Sequence, residues 1–380
     1  MRIVIAPQEF KGTLTARHAA EAMAAGARRA APDAEIDSIP ISDGGPGLCD
    51  ALLSAAPGRL LRAAVQDPLG RTIEAEWALL DDNTAVIETA SAAGLWRLTP
   101  AERDPLLTTT WGVGQLILAA LDTGARRLII GLGGSATNDG GAGMAVALGA
   151  RLLNDASRHL PRGGAALARL YRIDTSNLDS RLKQTDTIAA ADVINPLCGP
   201  EGASLVYGPQ KGASPNVARE LDDALRHYAQ IIERDLGFSV LDAPGAGAAG
   251  GLGAGLIGFL HATVRPGFDI VADAVHLHER LKQADLVLTG EGRLDGQTRY
   301  GKAVTRLARL ASDCGVPVIV VPGSLGDGWE TLRPLVHAIE PILSDAVPQG
   351  AKPAHPAGAL ASITELAVQR WILNTTARNP

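Results

Sequence analysis

The sequence has 380 residues and a formal net charge of −6, and 46% of its residues are hydrophobic. This length allows two domains, each with its own hydrophobic core. A negative net charge and an aromatic content of only 3% argue against a nucleic-acid-binding protein, which needs basic and stacking surfaces. We therefore expect no nucleic-acid partner.

Three features predict a cytoplasmic protein with no membrane partner. The cysteines, Cys49, Cys198 and Cys314, lie far apart, form no spaced metal motif, and are odd in number, as in a reducing compartment. No apolar run approaches the roughly 20 residues that cross a bilayer. The first residues enter a predicted strand directly, without the pattern of a secretion signal. We expect a monomer or a homodimer.

The first fifty residues show a β–loop–α–β–loop–α pattern. The apolar stretch 2–6 predicts a buried parallel strand, and Thr15 is a good N-cap for the Ala-rich helix that follows. A second strand, over residues 35–41, leads into a polar loop that contains Asp43. Ligands of open α/β sheets bind at the carboxyl ends of strands. Lys11 and Asp43 therefore become candidate site residues.

The pattern changes between Leu60 and Glu88, where short alternating runs predict antiparallel strands and a new domain. A buried strand over residues 126–130 then precedes a glycine-rich loop, residues 131–143, and a helix over residues 144–150. This glycine-rich loop is the most distinctive segment of the chain.

The glycine-rich loop is predicted to bind phosphate. Its glycines leave backbone N–H groups open at the positive end of a helix, with Asn138 or Asp139 as the helix cap. It lacks the Gly-Lys-Ser/Thr ending of a P-loop and matches the dinucleotide fingerprint only in part. We expect Gly133, Gly134 and Ser135 to contact nucleotide phosphates, together with Asn138 and Asp139. The alternative is a turn that lets a helix pack closely on a strand.

Two further polar segments follow the glycine-rich loop. A strand is predicted over residues 187–193, with Asp192 at its carboxyl end, and Asn195 stands three residues after Asp192. Gln210 and Lys211 follow in a short Gly- and Pro-containing segment. We expect Asn195 and Gln210 to bind substrate and Lys211 to offer a positive charge to a phosphate.

After residue 269 the β/α alternation returns, with a helix over 272–283, a strand over 285–288 and a loop that contains Glu291 and Asp295. Further strands are predicted over 316–321 and 339–343. The sequence therefore predicts an α/β protein with two domains. Residues 1–65 and 266–380 are expected to form a discontinuous, Rossmann- or flavodoxin-like parallel-sheet domain. Residues 66–265 are expected to form an inserted mixed α/β domain with the glycine-rich loop, and the active site to lie in the cleft between the two.

These residue types suit phosphoryl transfer with ATP and Mg²⁺, which needs cations, backbone N–H groups and carboxylates. Asp192 is our candidate general base, because it ends a buried strand that would hold it rigidly, and Asp43 is its main competitor. Glu291 and Asp295 are candidate magnesium ligands. Lys11, like Lys302 in a similar glycine context, could contact substrate or phosphate.

Other mechanisms find less support in the sequence. There is no Gly-X-Ser-X-Gly elbow for a nucleophilic serine, and the eight histidines lie outside the glycine loops. A dinucleotide-dependent oxidoreductase would use the central loop as a cofactor turn, and retention of NAD(P) would indicate it. A nucleotide-binding module without catalysis would bind ATP and release no ADP.

Eight segments together form an ordered set of motifs: residues 6–14, 43–45, 105–110, 131–143, 195–197, 208–212, 247–255 and 289–295 with Gln297 and Thr298. In these motifs and in their order, the chain resembles the bacterial two-domain glycerate kinases over nearly its whole length. The resemblance implies ATP-dependent phosphorylation of D-glycerate, usually at the 2-hydroxyl, with another small hydroxy acid as the alternative acceptor.

Two segments depart from the family pattern. Gln8 and Glu9 stand where the family usually has Asp-Ser, and Pro46 stands where it usually has Glu. Glu9 could replace the first carboxylate from one residue away, whereas nothing obvious replaces the second.

Overall fold

The computed structural model describes residues 1–295, 303–343 and 355–376. Gln297, Thr298 and Lys302 lie outside the described residues. The strands are β1 (Arg2–Ile5), β2 (Glu35–Ser38), β3 (Gly58–Gln66), β4 (Thr72–Leu80), β5 (Thr84–Glu88), β6 (Arg127–Gly131), β7 (Arg151–Leu153), β8 (Arg172–Asp174), β9 (Asp186–Ala190), β10 (Thr263–Arg265), β11 (Leu286–Thr289), β12 (Val318–Val320) and β13 (Ala338–Ile339). The helices are α1 (Ala16–Ala30), α2 (Leu48–Ala55), α3 (Thr89–Ala93), α4 (Trp111–Asp122), α5 (Ala142–Ala147), α6 (Ala203–Tyr207), α7 (Pro215–Leu236), α8 (Ala248–Leu260), α9 (Gly267–Ala274), α10 (Leu277–Leu281), α11 (Ala303–Asp313) and α12 (Pro356–Thr376).

The chain divides into two compact units. Unit one contains residues 1–43, 50–55 and the chain from 268 onward, and unit two contains residues 44–49 and 56–267. The expected boundary near residue 65 is displaced, because β3 pairs with β4 along its whole length and so belongs to unit two. The second boundary falls two residues later than expected.

Unit one is built on a five-stranded parallel sheet in the order β2-β1-β11-β12-β13. Counted along this unit alone, the order is 2-1-3-4-5, which is the flavodoxin-like arrangement. The apolar pattern of β1 and β11 explains their central position, since Ile3 to Ile5 and Leu286 to Leu288 are fully buried. The predicted α/β fold class is confirmed. In this order the direction of winding reverses between β1 and β11.

Helices α1 and α12 pack against each other on unit one. Their closest approach is at Gly26, because a Cβ there would overlap the carbonyl oxygen of Ala361 and come within 3.0 Å of the Thr364 side chain. The glycine therefore allows the two helix backbones to come together over the buried residues Met23 and Leu360.

Unit two is built on a six-stranded mixed sheet in the order β10-β9-β6-β5-β4-β3. Strands β3 to β5 are antiparallel, as their alternating pattern predicts, and β5, β6, β9 and β10 run parallel. The carboxyl ends of these four parallel strands meet at one edge. There Glu88, Gly131, Ala190 and Arg265 form one row across the sheet.

Two helices differ from the prediction, and a third is kinked. The helix after the glycine-rich loop is shorter and earlier, at Ala142–Ala147. The helix expected over 272–283 is broken into α9 and α10, with His276 at φ +50° between them. Helix α8 is kinked at residues 249–251, where the backbone φ and ψ angles are not helical. Among the described residues, no helix has both the length and the hydropathy that a membrane span requires.

We predict that Gly26→Ala destabilises the protein by about 1–3 kcal/mol, although alanine favours a helix. The new methyl group must push α1 away from the Ala361 carbonyl. Gly358→Ala is the matched control in α12, since its Cβ would meet only His355 at 3.9 Å. Urea unfolding of both variants gives the test. An equal or higher stability of Gly26→Ala would show that the helix contact is loose.

Candidate active site

In unit two, residues 44–49 lie against the carboxyl ends of the parallel strands. A Cβ on Gly44 would stand 2.6 Å from the Ala190 carbonyl oxygen at the end of β9. The Glu88 carboxylate, at the end of β5, accepts hydrogen bonds from the backbone N–H groups of Gly47 (3.0 Å) and Cys49 (2.9 Å). Glu88 thus fixes this loop and the start of α2. Glu88 was not among the candidate residues, although it also stands at the carboxyl end of a strand.

The glycine-rich loop is open to solvent at only two of its positions. Across residues 131–143 all are buried except Gly133, which is half-buried, and Gly134, which is exposed. A Cβ on Gly133 would overlap Gly45, and Gly134 adopts φ +70°, a conformation that favours glycine. A ligand can therefore approach the backbone of this loop only at Gly133 and Gly134.

The start of helix α5 is not open to a phosphate. The N–H groups of Gly141 and Gly143 donate to the Asp139 carboxylate at 3.2 Å each, and that of Met144 donates to Thr110 Oγ1 at 2.9 Å. These hydrogen bonds occupy N–H groups that a phosphate bound at the helix terminus would need. Asp139 accepts from the first turn of α5, although Gly141 stands at the N-cap position itself.

Asp139 and Asn138 are internal residues. Asp139 is 1% exposed and also accepts from the N–H (2.8 Å) and Oγ1 (3.0 Å) of Thr110. Burial raises the pKa of the Asp139 carboxyl, and the backbone N–H groups of Thr110 and Gly143 oppose that rise. Asn138 is fully buried, and its Nδ2 donates to Ser204 Oγ at 2.9 Å. Both side chains therefore hold the loop from inside.

Lys211 is buried beneath the same loop, and only 2% of it is exposed. Its Nζ donates to the Thr137 carbonyl oxygen at 2.7 Å and to Ser135 Oγ at 3.0 Å. Burial lowers the pKa of Lys211 to about 7, against the opposing effect of the Asp139 charge. Gln210, one residue earlier on a 3₁₀ turn, is exposed. The amine that was expected to offer a charge to a phosphate is therefore internal and bonded to the loop.

Asp192 and Asn195 lie beyond the end of β9. Asp192 is half-buried. The backbone N–H of Ala191, the residue before it, donates to the Arg265 carbonyl at 3.0 Å. This hydrogen bond extends the pairing of β9 with β10 up to Asp192. The Asn195 amide donates to the Glu201 carbonyl (2.7 Å) and accepts from the Tyr207 hydroxyl (2.8 Å). Asn195 thus stabilises its own loop through both ends of its amide.

In unit one, Lys11 and Glu291 follow the adjacent strands β1 and β11. Lys11 is exposed on a turn closed by the Phe10 N–H, which donates to the Leu14 carbonyl at 2.8 Å. Gly292 packs against this turn, since a Cβ there would be 3.0 Å from the Lys11 nitrogen. The two loops flank the point where the winding of the sheet reverses, which is the usual ligand position in such sheets.

The carboxylates of unit one differ in their surroundings. Glu291 is 7% exposed, and Asp295 is half-buried with its Oδ2 3.8 Å from Arg293 Nε. Asp43 is half-buried and directly precedes Gly44. No group of three or more His, Cys, Asp or Glu side chains is arranged to hold a metal ion within residues 1–295, 303–343 and 355–376. Mg²⁺ is commonly bound by one or two carboxylates together with water and phosphate oxygens, so it does not need a closed cage of protein ligands. Separate carboxylates such as Glu291 and Asp295 fit that kind of site.

The fold and the loops described above are those of an α/β enzyme with ligand sites at the carboxyl ends of parallel strands. The glycerate kinase family model matches residues 3–372. A glycerate kinase of Halalkalibacterium halodurans is 50% identical over 343 residues, covering 90% of each chain. The glycerate 2-kinase of Escherichia coli is 47% identical over 346 residues, also 90% of each chain. A crystal structure from Salmonella typhimurium LT2, provisionally assigned as glycerate kinase 2, has a TM-score of 0.83 and 43% identity over 99% of both chains.

This chain therefore belongs to the glycerate kinase family and is an enzyme of the kinase class. The family resemblance seen in the sequence motifs is confirmed.

The buried amine of Lys211 makes stability depend on pH. Its pKa is about 7 in the folded protein, and an unfolded lysine has a pKa of about 10.4. Between these values the unfolded chain binds more protons, so the free energy of unfolding rises with pH. We predict that wild type gains about 2 kcal/mol of stability over Lys211→Met between pH 7 and 9, with a slope that approaches about 1.4 kcal/mol per pH unit toward pH 9.

Urea unfolding at several pH values measures this gain. Lys183→Met is the control, because Lys183 is exposed and its amine stays hydrated on unfolding. A stability difference between wild type and Lys211→Met that stays constant from pH 7 to 9 would contradict the prediction.

Proposed function

We propose that the enzyme transfers the γ-phosphoryl group of Mg-ATP to the 2-hydroxyl of D-glycerate, forming 2-phosphoglycerate. The observation that supports this most strongly is the 47–50% identity to glycerate kinases and to a glycerate 2-kinase over nine-tenths of each chain. The arrangement of polar loops at strand ends is compatible with direct in-line transfer, which requires positioning and charge more than covalent chemistry.

Gly133 and Gly134 are proposed to hold the nucleotide phosphates. They are the two positions of the glycine-rich loop that solvent reaches. A Cβ on Gly133 would overlap Gly45, and one on Gly134 would lie 3.2 Å from the Ala90 methyl group, so both backbones lie close to residues 45 and 90 without a side chain of their own. The backbone of Gly134, at φ +70°, is already in the conformation that such a close approach uses.

Asp192 is proposed as the general base. It is half-buried, and hydrogen bonding of Ala191 to β10 continues the sheet up to it, so its carboxylate is held on a rigid support. Asp192 would accept the hydroxyl proton of glycerate as that oxygen bonds to the γ-phosphorus and the bond to ADP breaks. Asp43 is the alternative base.

Lys11, Glu291 and Asp295 are proposed to bind the charged groups of the reaction, which are the anionic oxygens and the magnesium ion. Lys11 is exposed, so its amine can reach an anionic oxygen of glycerate or of a phosphate. Glu291 and Asp295 would hold the magnesium ion, which neutralises phosphate charge when bound. Gln210 is exposed and keeps its proposed substrate contact, whereas Asn195 would act by shaping the loop next to Asp192.

We predict that purified enzyme releases ADP from Mg-ATP when D-glycerate is the acceptor. A panel of small hydroxy acids gives the comparison, and phosphorus NMR identifies the product as 2- or 3-phosphoglycerate. Turnover with another hydroxy acid and none with glycerate would contradict the substrate and keep the kinase class. NAD(P) retention without ADP release would contradict the class of reaction proposed.

We predict that Asp192→Asn lowers kcat by about 10² to 10⁴, because the amide cannot accept the hydroxyl proton. The affinity for Mg-ATP and the Tm should stay close to wild type. Asp186→Asn is the matched control, since Asp186 lies at the opposite end of β9, exposed and paired with Arg127. Near-normal kcat in Asp192→Asn would move the role to Asp43, and lost Mg-ATP affinity would make Asp192 a metal ligand.

A further inference from the structure

The buried pair of Lys211 and Ser135 lies directly under the exposed part of the glycine-rich loop. Ser135 follows Gly133 and Gly134 in the chain and is 6% exposed. Its Oγ accepts a hydrogen bond from Lys211 Nζ at 3.0 Å. The amine comes from a segment 76 positions away and does not reach solvent itself.

The direction of this hydrogen bond decides what the serine can do. A hydroxyl has one hydrogen to donate and two lone pairs that accept. Because Lys211 has donors and, when charged, no acceptor, it occupies a lone pair of Ser135 Oγ and leaves the hydroxyl hydrogen for another group. A hydroxyl that accepts from an ammonium group is also polarised into a stronger donor.

We propose that Lys211 is a positioning residue that holds the Ser135 hydroxyl as a hydrogen-bond donor to an anionic phosphate oxygen of the nucleotide over Gly133 and Gly134. This inference rests on the proposed function. The buried amine acts on the ligand through one hydroxyl, without contact between the amine and the ligand. Burial lowers the pKa of Lys211 to about 7, the Asp139 charge opposes that lowering, and an anionic phosphate bound nearby would favour the charged form of the amine.

A purely structural role is the competing explanation. Lys211 Nζ also donates to the Thr137 carbonyl at 2.7 Å, so it could simply tie the loop together. In that case its loss would lower the Tm, and any change in nucleotide affinity would be independent of Ser135. A double-mutant cycle separates the two explanations, because residues that act through one another are not additive.

The cycle uses Ser135→Ala, Lys211→Met and the double variant. For each, calorimetry gives the Kd of Mg-AMP-PNP, a thermal melt gives the Tm, and steady-state kinetics give the KM of ATP and of glycerate. Thr137→Val is the matched control. The Thr137 hydroxyl is buried without a hydrogen-bond partner in the described structure, and valine keeps the carbonyl that Lys211 contacts.

We expect Ser135→Ala and Lys211→Met each to weaken Mg-AMP-PNP binding by about 10- to 100-fold, which is the range for a hydrogen bond to a charged group. The double variant should bind Mg-AMP-PNP no more weakly than the single variant with the lower affinity. Thr137→Val should bind it with the affinity of wild type. The KM of ATP should rise with the Kd, whereas the KM of glycerate should change little.

Three results would overturn the inference. The first is wild-type nucleotide affinity in Ser135→Ala, which decides the matter even if Lys211→Met does not fold. The second is a double variant whose loss of affinity is the product of the single losses. The third is a rise in the KM of glycerate alone, which would assign the hydroxyl to the substrate carboxylate. If wild type itself neither binds Mg-AMP-PNP nor phosphorylates glycerate, the proposed function fails with it.

Discussion

The close packing of two glycine-rich backbones holds unit two together around its loop. The Gly140 N–H donates to the Gly250 carbonyl at 3.1 Å. A Cβ on Gly255 would stand 2.6 Å from the Gly140 carbonyl oxygen, and one on Gly251 would stand 2.9 Å from the Gly140 Cα. Ordering so many glycines costs more backbone entropy than ordering other residues, and the burial and hydrogen bonding of both segments offset that cost. The packed loop then exposes only Gly133 and Gly134.

Such close packing leaves the polar groups of the loop without access to water, so the protein must satisfy them internally. Asp139 supplies an acceptor to the backbone N–H groups at the start of α5, and Lys211 supplies a donor to the Thr137 carbonyl and the Ser135 hydroxyl. The two buried ionisable side chains thus serve opposite needs. Because a buried charge is costly without its partners, replacing either residue also disturbs the groups it satisfies.

Secondary-structure elements could be predicted from the sequence more fully than side-chain contacts. The uninterrupted apolar runs of β1 and β11 indicated a buried parallel sheet, and the alternation between Leu60 and Glu88 indicated the antiparallel strands. The burial of Lys211 could not be predicted, because a lysine beside glycines has the same local pattern on a surface and in a core. Its position depends on Ser135, 76 residues away. Asn195 was equally ambiguous, since only the fold brings the Tyr207 hydroxyl to its amide.

The neighbours of Gly134 make one side of the glycine-rich loop apolar. The Pro46 ring and the Ala90 methyl group lie 3.5 Å and 3.2 Å from the place a Cβ on Gly134 would take. These apolar groups keep water from the backbone on that side and strengthen any hydrogen bond formed there. The Glu88 carboxylate, which would repel a phosphate, is turned to the N–H groups of Gly47 and Cys49 instead. With apolar neighbours around it, a phosphate at this loop would depend on backbone N–H groups and on the hydroxyl that Lys211 holds.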